Sequence, residues 1–229
     1  MRHQTPLALL PPAGTAHWGE EVLFSQKVMS ELGGLNARFI SLLVELHGSR
    51  PGMPTLGLPS HALPPLLRAT GVEERLVLPF ALFDLRFRDA RFWTYESRAA
   101  SAVQDGQPTP AADTRLLRFA RAVLTLAWHL VQVDPRVARL ALGMAPGTQQ
   151  VLEATPIGLL DALARRTCPA VSARFCTRER FWGHLGSALR LPPDSGQLER
   201  LRLLGLQLQG ADAARAQQLH RRLRRSTQP

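Results

Sequence analysis

A short string of arginines and aromatics occurs twice in this chain. Arg86-Phe87 followed by Arg91-Phe92-Trp93 returns as Arg174-Phe175 followed by Arg180-Phe181-Trp182, with one more residue between the pairs in the second copy. A Leu-Gly precedes each copy: Gly57 of Leu56-Gly57 lies 29 positions ahead of Arg86, and Gly143 of Leu142-Gly143 lies 31 ahead of Arg174. Ahead of each Leu-Gly runs an apolar stretch with helical spacing, roughly 35–47 and 115–132. Four features in the same order (apolar helix, Leu-Gly, apolar segment, RF and RFW) predict a divergent tandem duplication. The competing explanation is accidental recurrence in a chain rich in arginine and leucine.

The duplication predicts a mainly α protein of two tandem small helical modules, each with a short strand. An irregular arm, 1–17, holds Pro6, Pro11, Pro12 and Gly14. The first module then covers 18–103, the stretch QDGQPTPAADT at 104–114 reads as a linker, and the second module with basic C-terminal helices covers 115–229. Two copies of about 90 residues fall in the usual domain range. Within the first copy, 61–70 reads as a short helix interrupted by Pro64-Pro65, and 76–87 as an extended segment with Pro79 at an edge position. In the second, Leu116, Phe119, Val123, Leu126 and Leu130 follow helical spacing, and Asp134-Pro135 opens another helix that ends at Gly143. Thr155-Pro156 is expected to start a helix through Leu163, and Pro169–Phe175 to form a short strand. Thr177 is expected to cap a helix beginning RERFW. Two amphipathic helices, near 195–208 and 211–225, close the chain. At least one aromatic of Phe92-Trp93 and of Phe181-Trp182 should lie in the core, since aromatics at a helix start dominate burial.

Motifs for catalysis are missing. No Gly-rich phosphate loop, HExxH, GxSxG or CxxC occurs, so no enzyme activity, catalytic residue or cofactor is expected. Glu20-Glu21 and Glu73-Glu74 read as helix-end or solvated charges, and His129 as a core or boundary residue. Cys168 and Cys176 stand eight positions apart with no second pair, which argues against a zinc site, and a reducing compartment would keep them unpaired. No uninterrupted apolar run approaches 20 residues, and the N-terminus lacks a basic-then-apolar layout. The expected location is the cytoplasm, without a membrane partner.

Charge points to a partner. The net charge is +10 and Lys27 is the only lysine. Arginine binds phosphate through a planar, bidentate fork and stacks on bases, which makes nucleic acid the first partner to consider. A genome biased toward arginine codons explains arginine over lysine; it does not explain the excess of bases over acids. One cluster comprises Arg215, Arg221, Arg222, Arg224 and Arg225 with Asp212 nearby, and it reads equally as a phosphate-contacting tail or a solvated helix end. A second cluster comprises Arg165, Arg166, Arg174, Arg178 and Arg180, with Arg86, Arg88 and Arg91 as its counterpart in the first copy. The candidate DNA contacts are Arg174, Arg178, Arg180, Arg221, Arg222, Arg224 and Arg225.

The run from 115 to 182 resembles the flagellar master regulator FlhD and its relatives encoded on integrative conjugative elements. In that family a long helix leads to a Leu-Gly turn, then to short helices around an apolar L-x-x-L segment, then to a strand ending near an RF pair. Leu142-Gly143, Leu152, Leu159, Leu160, Leu163 and Arg174-Phe175 occupy the matching places over about 70 residues. The string LNARFISLLVELHGSRPGMPTLGLPS is more faintly similar to the N-terminal segment of FlhC, the partner of FlhD. FlhC proteins carry a four-cysteine zinc site that this chain lacks, so a second FlhD-like module accounts better for RFRDARFW. The resemblance implies a transcriptional activator that binds double-stranded DNA and assembles with itself or with an FlhC-like partner. FlhD-like proteins are dimers, so two modules in one chain would form an internal pseudo-dimer. The alternative is a helical structural or secretion-apparatus adaptor that does not touch DNA.

Overall fold

Helices dominate the computed structural model, which describes residues 17–49, 52–63, 66, 73–102, 113–192 and 195–226. The arm before residue 17 and most of the linker, 103–112, lie outside the described residues, as does most of the segment 61–70. Eight α-helices and one two-stranded sheet occur among the described residues.

Helix α1, His17–Ser49, places Val28, Leu32, Leu35, Phe39, Leu42 and Leu43 at helical spacing and buries all of them. One polar residue sits on that face. Asn36 is fully buried, its Nδ2 donates to the carbonyls of Phe80 (3.0 Å) and Leu76 (3.3 Å), and its Oδ1 accepts the Leu82 N–H at 2.8 Å. The segment 76–82 is thereby laid against α1 by side-chain hydrogen bonds instead of a strand ladder. This corrects the extended reading of 76–87: only β1, Phe83–Asp84, is a strand there. Helix α2, Ala90–Ala102, begins beyond Asp89, whose Oδ1 accepts the Phe92 N–H at 3.0 Å.

The second half opens with α3, Thr114–Val133, capped by Asp113, which accepts the Arg115 N–H and is held at about 2 by its hydrogen bond from the Arg115 guanidinium. This helix is long and apolar enough to match a membrane span by composition, but its apolar face from Phe119 to Val131 is buried in the core. Helix α4, Pro135–Leu142, has the expected Asp134 cap, a proline in its first turn, and Gly143 in the left-handed conformation (φ 66°) at its end. Helix α5, Pro146–Glu153, follows, with Pro146 in its first turn; the sequence reading had no helix at this place. Thr155 does not start the next helix, because its hydroxyl donates back to the Val151 carbonyl at 2.7 Å and its own carbonyl accepts the Trp128 indole N–H. A 3-10 turn from Ile157 to Leu159 intervenes, and helix α6 is Leu160–Thr167.

Strand β2, Ser172–Ala173, is shorter than the expected Pro169–Phe175 because Cys168–Ala170 forms a 3-10 turn. Helix α7, Glu179–Arg190, has Arg178 at its cap position, not Thr177, and the Arg178 side chain makes no cap hydrogen bond. The two expected C-terminal helices are one, α8, Gln197–Ser226, which Gly210 does not interrupt.

The recurring strings meet in space. β1 and β2 pair antiparallel, with Phe83 opposite Ala173 and Asp84 opposite Ser172. Asp84 stands two positions before Arg86, and Ser172 two before Arg174, so equivalent positions of the two strings face each other. Each RFW lies at the start of a helix, and each tryptophan indole donates to the backbone carbonyl of its own RF arginine: Trp93 to Arg86 at 3.2 Å, Trp182 to Arg174 at 3.0 Å. The contacts also cross over. The Leu56 carbonyl accepts from Ala173 (2.7 Å), and Ala145 donates to the Phe87 carbonyl (3.0 Å). The turn Ser60–Ala62 packs on α7, while α5 and α6 pack on α2. Buried residues from Val28 to Leu201 accordingly form one hydrophobic cluster drawn from both halves. Trp93, Phe181 and Trp182 are deep in it, with Phe92 half-buried at its margin.

Candidate nucleic-acid interface

The sequence-nominated arginines separate into three situations. Arg174 is buried, and burial pushes its guanidinium down to about 10, still charged at neutral pH. Its Nη1 donates to the Ala141 carbonyl at 3.1 Å, so the cation closes the last turn of α4, where the helix dipole favours positive charge. The Phe175 ring lies 5.3 Å away and Nη2 has no partner among the described residues. A guanidinium so placed cannot reach a phosphate. Arg174 is therefore withdrawn from the DNA-contact set; its role is to fasten β2 to α4.

Arg178 and Arg180, by contrast, are exposed. They stand on either side of the α7 start, where the cap residue Arg178 makes no side-chain hydrogen bond to the helix. Together with Thr177 they rim a hollow of about 350 Å³ whose floor is Phe181, Leu204 and Leu208. The counterpart start of α2 is neutralised instead: Asp89 both caps it and pairs with Arg86, which lowers the Asp89 carboxyl through the Phe92 hydrogen bond first and the Arg86 charge second. The start of α7 carries Arg178 and Arg180 on either side of Glu179, both exposed.

Arg221, Arg222, Arg224 and Arg225 all fall within α8. The first half of that helix is held to the body. Leu201 is buried, Gly205 lies against the Phe80 ring so closely that a Cβ would overlap it, and Arg202 donates to the Val77 carbonyl at 3.0 Å. Asp212 forms the farthest described tether, an ion pair of 2.8 Å with Arg88. Beyond it Ala213, Ala214, Arg215 and Gln218 are exposed.

Two further arginines, of which sequence reasoning named only Arg88, position this surface. Arg75 donates to the carbonyls of Leu189 (2.6 Å), Ala188 (2.8 Å) and Leu191 (2.6 Å), satisfying the open end of α7. Arg88 anchors α8 through Asp212. The Arg75 bonds were not legible because they span more than a hundred residues, and the pairing of Arg88 with Asp212 was not because nothing local joins the two arginine clusters. Cys168 and Cys176 are both free. Among the described residues no group of three or more His, Cys, Asp or Glu side chains is placed to hold a metal.

No protein-family model matches this chain, and no curated protein or solved structure matches it either.

Proposed function

We propose that this chain is a DNA-binding transcriptional regulator of the FlhD type, in which two related halves take the places of two subunits. It would act by itself or within a multi-subunit activator with an FlhC-like partner. The observation that carries the DNA reading is α8: a single unbroken helix whose first half is packed on the core and whose second half, past Asp212, bears Arg215, Arg221, Arg222, Arg224 and Arg225. A helix fixed at one end and basic at the other presents its arginines to a polyanion without ordering a loop on binding. Arg178 and Arg180 add positive charge beside the same helix, next to Leu204 and Leu208.

The internal-dimer reading draws support from the antiparallel pairing of Asp84 with Ser172 and from the crossed contacts between halves. An isologous interface has this form, the same patch meeting itself about a local two-fold axis. Cutting the full chain at a protease site placed within 104–112 is expected to leave both pieces in one 1:1 complex on gel filtration, separable only in denaturant. Pieces that part in native buffer would show two self-sufficient modules on a tether and remove the pseudo-dimer.

Salt titration of binding to duplex DNA tests the function. Changing Arg221, Arg222, Arg224 and Arg225 together to Ala is expected to weaken binding and to flatten the salt slope by roughly one for each arginine that touches a phosphate, with thermal stability unchanged. An unchanged slope would move the interface to Arg178 and Arg180. Absence of DNA binding, alone and with a partner, would favour the adaptor, for which Leu203 and Leu206, exposed on the outer face of α8, are the relevant surface.

A further inference from the structure

Helices α1 and α3 meet through a second, shorter recurrence. Arg38-Phe39 on α1 faces Arg118-Phe119 on α3; the two rings lie 5.5 Å apart in the core, and both arginines are exposed. The arginines line one groove of about 610 Å³ together with Gly34, Ala37, Ser41 and Ala122. We propose that this groove is a binding site for a phosphate group, held between the guanidinium groups of Arg38 and Arg118.

Charge balance is the first argument. The third arginine of the lining, Arg115, is already matched by Asp113. Arg38 and Arg118 have no carboxylate partner among the described residues. Two guanidinium groups without a carboxylate partner line one recess, and planar forks match phosphate oxygens bidentately. Shape is the second argument. Gly34, Ala37 and Ala122 carry almost no side chain, which leaves room for an oxyanion beside the two guanidinium groups, and the Ser41 hydroxyl offers a further donor. Glu45, the one acid of the lining, stands toward the end occupied by Arg115, whose charge it helps to hold. The site is independent of α7 and α8, and its existence does not require that the chain bind DNA.

Thermal unfolding with inorganic pyrophosphate as the probe, at ionic strength matched with sodium chloride, tests the site. A saturating rise in Tm of roughly 5–10 °C at a hundred-fold excess over Kd is expected. The double variant Arg38→Gln/Arg118→Gln should lose the rise while keeping the ligand-free Tm, and Arg178→Gln/Arg180→Gln should retain it. Should the first double variant not fold, Ser41→Trp, which fills the groove from an exposed position, should abolish the rise instead. Duplex DNA then distinguishes the sources of phosphate: weaker duplex binding by Arg38→Gln/Arg118→Gln would assign the groove to the DNA backbone, and unchanged duplex binding to a free phosphorylated ligand. No rise in the parent protein, or a full rise in the groove variants, overturns the proposal.

Discussion

Replacing Phe181 with alanine is expected to destabilise the protein by roughly 3–5 kcal/mol. The ring is 1% exposed and lies 4.9 Å from the Phe175 ring, 5.9 Å from Trp182 and 6.2 Å from Phe80, centroid to centroid. Truncation forfeits its transfer free energy and leaves a void that the neighbouring rings cannot readily fill, because two of the three are held elsewhere: Trp182 by its indole bond to Arg174, Phe80 by its carbonyl on Asn36 and by α8 at Gly205. The void would open toward Leu204 and Leu208, so the seat of α8 should loosen as well. Urea unfolding gives the energy, and Phe92→Ala supplies the comparison, since Phe92 is only half-buried and should cost on the order of 1–2 kcal/mol. Equal losses at the two positions would mean that the two RFW strings are packed alike, contrary to the asymmetry seen.

Local signals carried the helices that the sequence predicted well. Asp134, Pro135 and Gly143 bracket α4 because cap, first-turn proline and left-handed terminus are all chemistry of neighbouring residues. The recurrence of RF and RFW likewise led to two helix starts with buried aromatics. Where the reading failed, the deciding partner was remote in sequence. Asn36 takes up backbone groups of Leu76, Phe80 and Leu82 from forty or more residues off, and Trp128 ties down the Thr155 carbonyl that would otherwise precede a helix. The sequence predicts two amphipathic helices near 195–208 and 211–225, but α8 runs through Gly210 between them without a break: glycine in a helix costs only about 1 kcal/mol, and strong helix formers on both sides absorb that. Exposed arginines could be nominated from composition. That Arg174 is not among them could not, since its burial depends on a space left by a glycine 31 residues earlier.

That space defines the second large expected effect. Gly143→Ala should cost roughly 2.5–5 kcal/mol, more than alanine at an ordinary turn glycine. Two contributions combine. At φ 66° any L side chain sits in the left-handed region, worth about 1–2 kcal/mol. In addition, a Cβ there would overlap the guanidinium of Arg174, 2.7 Å from Cζ and 3.3 Å from Nη1, and would drive it off the Ala141 carbonyl; losing a hydrogen bond from a buried cation costs about 1.5–3 kcal/mol. Gly52 separates the two, because it has φ 81° with nothing within 4 Å of its would-be Cβ, so Gly52→Ala should show the backbone cost alone. A double-mutant cycle completes the test: in an Arg174→Ala background the overlap is gone, and Gly143→Ala should then cost only the 1–2 kcal/mol of the first contribution. Strict additivity of Gly143→Ala with Arg174→Ala, at a cost equal to that of Gly52→Ala, would show that the guanidinium does not occupy the space over Gly143, and would return Arg174 to the surface arginines available for phosphate.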